Sequence, residues 1–429
     1  MILLTSIILL FVLLILGTPV GFTMAVVGSI GLWQLLGFNA MLGVLTTAPL
    51  SAANSYEMIT VPMFLLMAEL VILSGLADNL FSAAATWLGR VRGGLAIATT
   101  LAGAGFGAIA GSSTASAATL ASTTIPAMTK QGYESKFSCG VVAISGTLAM
   151  LIPPSIALVL YGLIADVNIG QLLIAGVIPG LLVTFTIILT IWIIVLFIPG
   201  TAPEGRGYTW QEKISVLKAA GPLLFLFAAV TGVIYTGVAT PTEASALGAL
   251  GAFILAMIKR NFTAKQLRHA VIRAAQTSCM VLLIILGAQI FGYFIALTHF
   301  TQDMITWVHG LGLSRWLIIA MVLIGLLILG CFMDQIAILF LTVPVLVPLI
   351  KAYDFDPLWF GVIMIVTAEL GMVTPPVGMN AFVIARYTNR PLTEIFSGVT
   401  PHIFAHVLVI ILLVAFPEII LWLPRTMNN

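Results

Sequence analysis

The sequence predicts an all-α polytopic membrane protein with two inverted repeats, each containing a re-entrant hairpin and a proline-broken helix. Three observations support this fold class: an apolar composition, helix-breaking motifs that recur at one spacing, and basic residues confined to certain loops. Of 429 residues, 61% are hydrophobic and 7% are charged, whereas an ordinary soluble domain is about 25% charged. This composition excludes a soluble enzyme and a disordered protein. The chain is long enough for roughly ten crossings of about 20 apolar residues each.

Helix-breaking residues recur at a constant spacing of 222 positions. Thr18-Pro19 recurs as Thr240-Pro241, and Pro126 as Pro348. The dipeptide Pro153-Pro154 recurs as Pro375-Pro376. Three landmarks at one offset indicate an internal repeat rather than chance. We therefore predict one repeat over residues 1–200 and a second over 219–429, joined by a cytoplasmic connector at 201–218.

The distribution of basic residues indicates how the repeats are oriented. Residues 37–56 contain no Lys or Arg, whereas the corresponding residues 259–278 contain five. Because basic residues collect on the cytoplasmic side of a membrane, equivalent loops are expected on opposite faces. The repeats are therefore predicted to be inverted, as is common in secondary transporters.

With the N-terminus outside, the elements follow in the same order in each repeat. The first repeat is predicted to contain scaffold helices within 2–76 (at 2–17, 19–36 and 57–76), a re-entrant hairpin at 94–129, a broken helix at 138–165 and a return helix at 170–199. The second is predicted to contain scaffold helices within 220–298 (at 220–237, 240–258 and 277–298), a hairpin at 316–350, a broken helix at 357–385 and a helix at 396–423. This topology leaves 14 of the 17 Lys and Arg residues inside.

Four interruptions at membrane depth form two matched pairs. The hairpin tip at 111–116 pairs with the break at 151–155, and the tip at 330–335 pairs with the break at 371–380. Proline frees a backbone carbonyl one turn earlier, and a carbonyl beside a Ser or Thr hydroxyl offers neutral oxygen ligands for a monovalent cation. Half-helix N-termini at the same depth attract an anion. The pattern predicts two cation sites flanking one substrate site, although close helix packing and architectural kinks remain alternative explanations.

Ionisable residues within membrane segments are candidate functional residues. Asp334, at the second tip, is the main candidate, as a ligand contact, a neighbour of a cation site or a protonatable group. For Glu69, Glu243 and Glu369, a structural role in capping or in an interhelical hydrogen bond is at least as well supported. From the tips and breaks we assign the substrate contacts to Thr114, Asp334 and Asn380.

Four blocks carry a resemblance to a known family: GSSTASAATLASTTIPAM, LIPPSIALVLYG, GVATPTEASALGAL and MVTPPVGMNAFV. Together they resemble the large membrane subunit of tripartite ATP-independent periplasmic (TRAP) transporters, over essentially the whole chain. The resemblance implies an elevator-type, sodium-coupled importer of organic acids in the bacterial inner membrane. It also implies two partners, a small four-helix membrane subunit, here expected as a separate protein, and a soluble periplasmic binding protein.

The same resemblance implies the positions of two sodium sites. One would use Ser112, Ser113, Ile152 and Ser155, and the other would use Gly330, Gly371, Thr374 and Val377. Family substrates include sialic acids and C4-dicarboxylates, and the sequence resembles sialic-acid members slightly more.

Absent motifs restrict the function further. The sequence has no Walker A motif, no H-E-x-x-H and no G-x-S-x-G, which argues against an ATPase and against a membrane hydrolase. We expect no cofactor apart from Na⁺ as the coupling ion, no transition metal, and contacts with membrane lipid but not with nucleic acid. The main alternative is a stand-alone Na⁺- or H⁺-coupled anion transporter of the same fold that needs no binding protein. A gated channel and an intramembrane enzyme are further alternatives.

Overall fold

The computed structural model describes residues 2–259 and 262–427. Within these ranges the regular secondary structure is entirely helical, with 21 α-helices and two short 3₁₀ turns. Eight helical segments of the described residues are long and apolar enough to cross a membrane. The predicted all-α polytopic fold class is therefore confirmed.

The helices fall into two halves on either side of the connection at 198–209. The first half contains α1 (Ile2–Ile15), α2 (Val20–Leu36), α3 (Phe38–Ala53), α4 (Thr60–Leu73), α5 (Leu76–Leu88), α6 (Gly94–Ala110), α7 (Ser113–Lys130), α8 (Ser135–Thr147), α9 (Ile156–Ala165), α10 (Ile169–Ala175) and α11 (Val177–Phe197). The second half contains α12 (Trp210–Tyr235), α13 (Pro241–Lys259), α14 (Ala264–Leu297), α15 (Phe300–Gly310), α16 (Arg315–Phe332), α17 (Gln335–Ala352), α18 (Pro357–Gly371), α19 (Met379–Thr388), α20 (Leu392–Ala415) and α21 (Glu418–Arg425).

The order of helices in the first half recurs in the second half. Helix α7 begins at Ser113 and α17 at Gln335, 222 positions later. Helix α8 begins at Ser135 and α18 at Pro357, again 222 positions later. The spacing of the proline motifs is therefore also the spacing of the helices.

Helices at equivalent positions in the two halves each pack against a helix of the opposite half. Helix α2 packs against α14, and its counterpart α13 packs against α4. In the same way α19 packs against α7, and its counterpart α9 packs against α17. Each hairpin therefore contacts the second part of the other half's broken helix, so each hairpin region combines elements of both halves.

Glycines allow the closest of these crossings, between α2 and α14. A Cβ atom on Gly21 would lie 2.8 Å from Cα of Ile284, and one on Gly28 would lie 2.9 Å from Cα of Phe291. Both distances are too short for any larger residue, because the obstacle is backbone. Small residues commonly permit such close approach of membrane helices.

No helix was predicted between residues 37 and 56, where the structure has one. The predicted start of another scaffold helix lies too late in the sequence. Residues 38–53 form α3, and α14 begins at Ala264 rather than at 277. Thr263 and Gln266 start α14 through a capping box, in which each side chain accepts a hydrogen bond from the other residue's backbone N–H. At about 1.5 Å per residue, its 34 residues span about 51 Å, so α14 extends beyond a hydrocarbon core of about 30 Å.

The predicted connector at 201–218 is also too long, because α12 begins at Trp210. Thr209 and Glu212 form a capping box: the Glu212 N–H donates to Thr209 Oγ1 over 3.3 Å, and the Thr209 N–H donates to Glu212 Oε2 over 2.7 Å. The polar residues that follow therefore lie on the first turns of a helix and not in a loop.

Three further features differ from the predicted elements. Helices α5 and α15 are short and occupy equivalent positions between the scaffold and the hairpins, where no helix was predicted. Trp87 lies on α5 and Trp307 on α15, and both side chains are exposed, as expected of residues at a membrane interface. The last predicted helix, 396–423, is divided between α20 and α21 near Pro417.

Candidate functional site

The first hairpin turns at Gly111 and Ser112, between α6 and α7. Gly111 has a φ of +55°, and a Cβ atom there would lie 2.3 Å from the side chain of Ile156. Ser112 caps α7 by accepting a hydrogen bond from the Ala115 N–H over 3.4 Å. The tip therefore requires glycine, and it packs directly against the start of α9 in the first break.

The second hairpin turns at Met333 and Asp334, between α16 and α17. The Asp334 carboxylate caps α17 by accepting a hydrogen bond from the Ile336 N–H over 3.2 Å. The Gly378 N–H, at the end of the second break, donates to the Cys331 carbonyl over 3.1 Å. This bond ties the second tip to the second break.

Each broken helix resumes after its break at a defined residue. The first ends in a 3₁₀ turn, and Ser155 then caps α9 by accepting from the Leu158 N–H over 3.3 Å, while its hydroxyl donates to the Met150 carbonyl. In the second, Gly378 has a φ of +60° immediately before α19. Both Pro-Pro peptide bonds, Pro153-Pro154 and Pro375-Pro376, are cis.

A cavity of about 420 Å³ lies where four of these half-helices begin. Its wall on this side contains residues at or near the start of α7, α9, α17 and α19: Gly111, Ser112, Thr114, Ile156, Asp334, Ile336, Ala337 and Met379. The opposite wall is mostly apolar and comes from the start of α2, from α4 and from α14. Because each helix N-terminus carries a partial positive charge, the starts of α7, α9 and α19 favour an anion here, whereas the Asp334 carboxylate offsets the positive end of α17.

Two of the three residues assigned to the substrate line this cavity. Thr114 and Asp334 are lining residues, and Asp334 is the one ionisable side chain among them. Asn380 is fully buried, and its amide donates to Ser113 Oγ over 2.8 Å. The structure therefore places Asn380 behind the cavity wall, where it supports the first hairpin tip.

The residues assigned to the first sodium site lie in different surroundings and have different partners. Ser112 lines the cavity, whereas Ser113 is buried and donates to Glu369 Oε2 over 2.9 Å. Ser155 is bonded within its own break, and Ile152 packs beside the position of Gly180. The Ser113 hydroxyl also lies 3.3 Å from the Gly146 carbonyl oxygen of its own half, so it sits between the two halves of the chain, which the sequence did not suggest.

The residues assigned to the second sodium site lie where α16 crosses α18. A Cβ atom on Gly330 would lie 2.9 Å from Cα of Gly371 and 2.6 Å from the Ala368 carbonyl oxygen. The Thr374 hydroxyl donates to the Leu370 carbonyl over 2.6 Å, and Val377 lies just before α19. The second tip and the second break are therefore adjacent.

The three glutamates within membrane segments have different surroundings. Glu69 pairs with Arg273 over 2.9 Å between α4 and α14. Glu243 forms a capping box with Thr240 at the start of α13, which explains the Glu of the T-P-T-E motif. Glu369 is 1% exposed and is bonded to Ser113.

Sequence reasoning missed the network that joins Ser113 to Glu369 and Asn380. Its members are 256 and 267 positions apart, and the only signal was a glutamate within an apolar helix. It also overlooked His402 and His406, which are one turn apart and buried on α20. Both ring nitrogens of His402 and Nε2 of His406 have no hydrogen-bond partner.

Three proteins of similar sequence are TRAP transporter large permease proteins. The C4-dicarboxylate TRAP transporter large permease protein DctM of Pseudomonas aeruginosa is 34% identical over 374 residues, covering 87% of each chain. The sialic acid TRAP transporter large permease protein SiaM of Vibrio cholerae is 30% identical over 420 residues, covering 96% of each chain. The ectoine TRAP transporter large permease protein TeaC of Halomonas elongata is 30% identical over 414 residues, again covering 96% of each.

The fold is similar to that of a solved transporter, and a family model matches nearly the whole chain. The crystal structure of the Alcanivorax borkumensis YdaH transporter superposes with a TM-score of 0.64 over 89% of both chains, at 13% identity, which is a likeness of fold alone. The model described as "Tripartite ATP-independent periplasmic transporter, DctM component" matches residues 7–419. The chain therefore belongs to the DctM family, and it is a large permease subunit of a TRAP transporter.

Proposed function

We propose that this permease subunit imports an organic acid, of the sialic acid or C4-dicarboxylate class, across the bacterial inner membrane in symport with Na⁺. The observation that carries the proposal is the cavity of about 420 Å³ at which α7, α9, α17 and α19 begin. The names of relatives specify C4-dicarboxylate, sialic acid, isethionate and 2,3-diketo-L-gulonate, each of which carries a carboxylate or sulfonate group. The N-termini of α7, α9 and α19 supply the electrostatic complement of such a group.

Thr114 and Asp334 are assigned to the polar part of the substrate. The Thr114 hydroxyl lies at the cavity wall and can donate to an anionic group. Asp334 uses Oδ2 to cap its own helix, which leaves Oδ1 to accept from a substrate hydroxyl or to contact a coupling ion. The mostly apolar opposite wall excludes water without competing for these groups.

Sodium coupling is supported by the chemistry of the tips and breaks. The proposed ligands are neutral hydroxyl and carbonyl oxygens, which suit a hard monovalent cation better than a proton. Sodium held between a tip and its break would fix the direction of the adjoining half-helices. The anion site would then form fully only with the ions bound, and this dependence is the coupling.

An elevator movement is supported by the position of the cavity between two packing units. Its polar wall belongs to the hairpins and broken helices, and its apolar wall belongs to α2, α4 and α14. The scaffold helices pack tightly on each other through glycine contacts between α2 and α14. The hairpin unit with its bound substrate would therefore slide along the smooth apolar wall.

Two partners are proposed, a small four-helix membrane subunit and a periplasmic substrate-binding protein. The longest connection between described helices is residues 198–209, which is too short to fold into a capture domain. The family name, with its tripartite composition, supports the same assignment.

The test is uptake into proteoliposomes that contain the chain, with and without the small subunit, the binding protein and a sodium gradient. We expect uptake of the organic acid only when all three are present. Full-rate uptake by the chain alone would favour the stand-alone transporter. Uptake that does not saturate with substrate would favour a channel.

A further inference from the structure

Four buried side-chain oxygen atoms without a hydrogen-bond partner lie around the junction of the first hairpin tip and the second broken helix. They are Oε1 of Glu369, Oδ1 of Asn380, Oε1 of Gln335 and Oγ of Ser116. Glu369 is 1% exposed, and the other three residues are fully buried. Buried polar atoms are nearly always paired, so four unpaired oxygens in one region require an explanation.

Hydrogen bonds connect three of these residues to the junction, and helix spacing places the fourth. Ser113 joins two of them, because its hydroxyl donates to Glu369 Oε2 over 2.9 Å and accepts from Asn380 Nδ2 over 2.8 Å. Gln335 Nε2 donates to the Ile365 carbonyl over 3.5 Å, one turn before Glu369 on α18. Ser116 lies one turn after Ser113 on the same face of α7. Glu369 and Asn380 therefore meet at Ser113, while Gln335 lies against the same broken helix and Ser116 lies one turn further along α7.

The charge of Glu369 is not compensated by a basic residue. The ion pairs found among residues 2–259 and 262–427 involve Glu69, Glu204, Glu394 and Glu418, but not Glu369. A buried carboxylate without a partner is strongly unfavourable. Either a proton or a bound cation must therefore neutralise it.

The other unpaired oxygens favour a cation over a proton. A proton on Glu369 Oε1 would donate one hydrogen bond and would satisfy at most one of the three remaining oxygens. A hard cation is coordinated by several oxygens at once, and carboxylate and carbonyl ligands suit it. One carboxylate among neutral oxygens matches a single positive charge.

We propose that Glu369, Asn380, Gln335 and Ser116 bind a monovalent cation, Na⁺ under physiological conditions, at a third site beside the two sodium sites proposed above. This inference rests on the proposed function for the identity of the ion. Ligands from both halves of the chain distinguish the site from the other two, each of which lies within one half. Binding would clamp the first hairpin tip, through Ser113, onto the second broken helix.

The experiment measures thermal unfolding of the purified full-length chain in detergent as Na⁺ replaces choline at constant ionic strength, without substrate or partner proteins. Because each bound ion stabilises the folded state by mass action, the dependence of unfolding free energy on ln[Na⁺] counts the ions released. Glu369→Gln keeps the side-chain shape and removes the charge. Glu243→Gln is the matched control, because Gln also serves in a capping box and an exposed acidic charge is removed.

We expect the count for Glu369→Gln to be one Na⁺ lower than for the wild type and for Glu243→Gln. In sodium-free buffer, Glu369→Gln should melt at the same temperature as the wild type or higher, because no buried charge is left unpaired. A purely structural Glu369 would instead lower the melting temperature equally with and without Na⁺, and that result would overturn the proposal. An unchanged sodium count in Glu369→Gln would overturn it as well.

Ser116→Ala provides a second measurement that does not depend on the stability of Glu369→Gln. It removes one neutral oxygen from a tightly packed position, and we expect the half-saturating Na⁺ concentration of one site to rise about tenfold. An unchanged sodium affinity would count against the site.

A sodium-independent uptake together with loss of one Na⁺ in Glu369→Gln would overturn the proposed function but not this site. Sodium-driven uptake with an unchanged count in Glu369→Gln would overturn the site but not the function.

Discussion

The hydroxyl of Ser113, in the first turn after the first hairpin tip, donates a hydrogen bond to Oε2 of Glu369, which precedes the second break. The distance is 2.9 Å, and the two residues are 256 positions apart. A hairpin tip of one half is thus held by the broken helix of the other half. The bond therefore couples the position of the first tip to that of the second broken helix.

The first prediction concerns the orientation of the repeats. A cysteine at Lys265, on the exposed first turn of α14, should react with a membrane-impermeant maleimide only from the cytoplasmic side. A cysteine at Ser51, near the end of α3, should react only from outside, because the equivalent segments of inverted repeats lie on opposite faces. The measurement is labelling of intact cells and of inverted vesicles, in a background without Cys139, Cys279 and Cys331. Labelling of both positions from the same side would disprove the inverted arrangement.

The second prediction concerns the contact between α2 and α14. Gly21→Ala places a Cβ atom 2.8 Å from backbone atoms of Ile284, so the helices must separate, at a cost of about 1–3 kcal/mol. Gly292→Ala, on α14, is the matched control, because a Cβ there meets no atom within 4 Å and Ala favours helix over Gly by about 1 kcal/mol. Melting in detergent should show a lower midpoint for Gly21→Ala and an unchanged or higher one for Gly292→Ala. Equal midpoints would mean that the crossing tolerates a methyl group.

Local helix breakers explain why much of the architecture could be predicted from the sequence. Proline and glycine act on the backbone where they stand, so the tips before Ser113 and Gln335 and the breaks near Pro153 and Pro375 were located from their spacing. Helices α3, α5 and α15 were missed because they are too short or too polar for a transmembrane hydropathy pattern. Helices α12 and α14 start earlier than predicted because capping boxes at Thr209 and Thr263 begin them. From their polar composition alone, these first turns were predicted to be loops.

The site was predicted less completely than the fold, because its contacts join distant segments. Nothing in the sequence near Ser113 indicates that its hydroxyl bonds to Glu369, or that Asn380 supports Ser113 and not the cavity. Such contacts form only when each hairpin packs against the broken helix of the other half. The individual sodium ligands that the family resemblance implies stay a prediction.

The third prediction concerns the coupling ion. With neutral oxygens at the tips and breaks, replacing Na⁺ by choline should reduce uptake at least about tenfold, even under an inward proton gradient. A control with equal Na⁺ concentrations on both sides and an imposed membrane potential keeps the ion present while it removes the sodium concentration gradient. It therefore distinguishes the need for the ion itself from the need for its driving force. Undiminished uptake in sodium-free buffer with a proton gradient would shift the coupling to Asp334 as a proton carrier.

The last prediction concerns the hydroxyls of Ser113 and Thr374. Thr374 donates to the carbonyl four residues earlier over 2.6 Å, and Thr367, on the same broken helix, makes the same kind of bond over 2.8 Å. Thr367→Ala is therefore a matched control for losing such a bond away from the break. If Ser113 and Thr374 help to bind Na⁺, alanine at either should raise the half-saturating Na⁺ concentration for uptake about tenfold, equivalent to a loss of about 1.4 kcal/mol of ion binding.

The stability of the same variants separates ion binding from packing. Ser113→Ala also leaves Glu369 and Asn380 with one partner fewer, which costs about 1–3 kcal/mol if nothing replaces the hydroxyl. Its melting temperature should therefore fall. Thr374→Ala, whose side chain is half-buried, should melt no lower than Thr367→Ala, whose side chain is buried. Sodium titrations of uptake, compared at equal amounts of folded protein, then report the ion sites alone. An unchanged sodium dependence in both Ser113→Ala and Thr374→Ala would show that the coupling ions bind elsewhere.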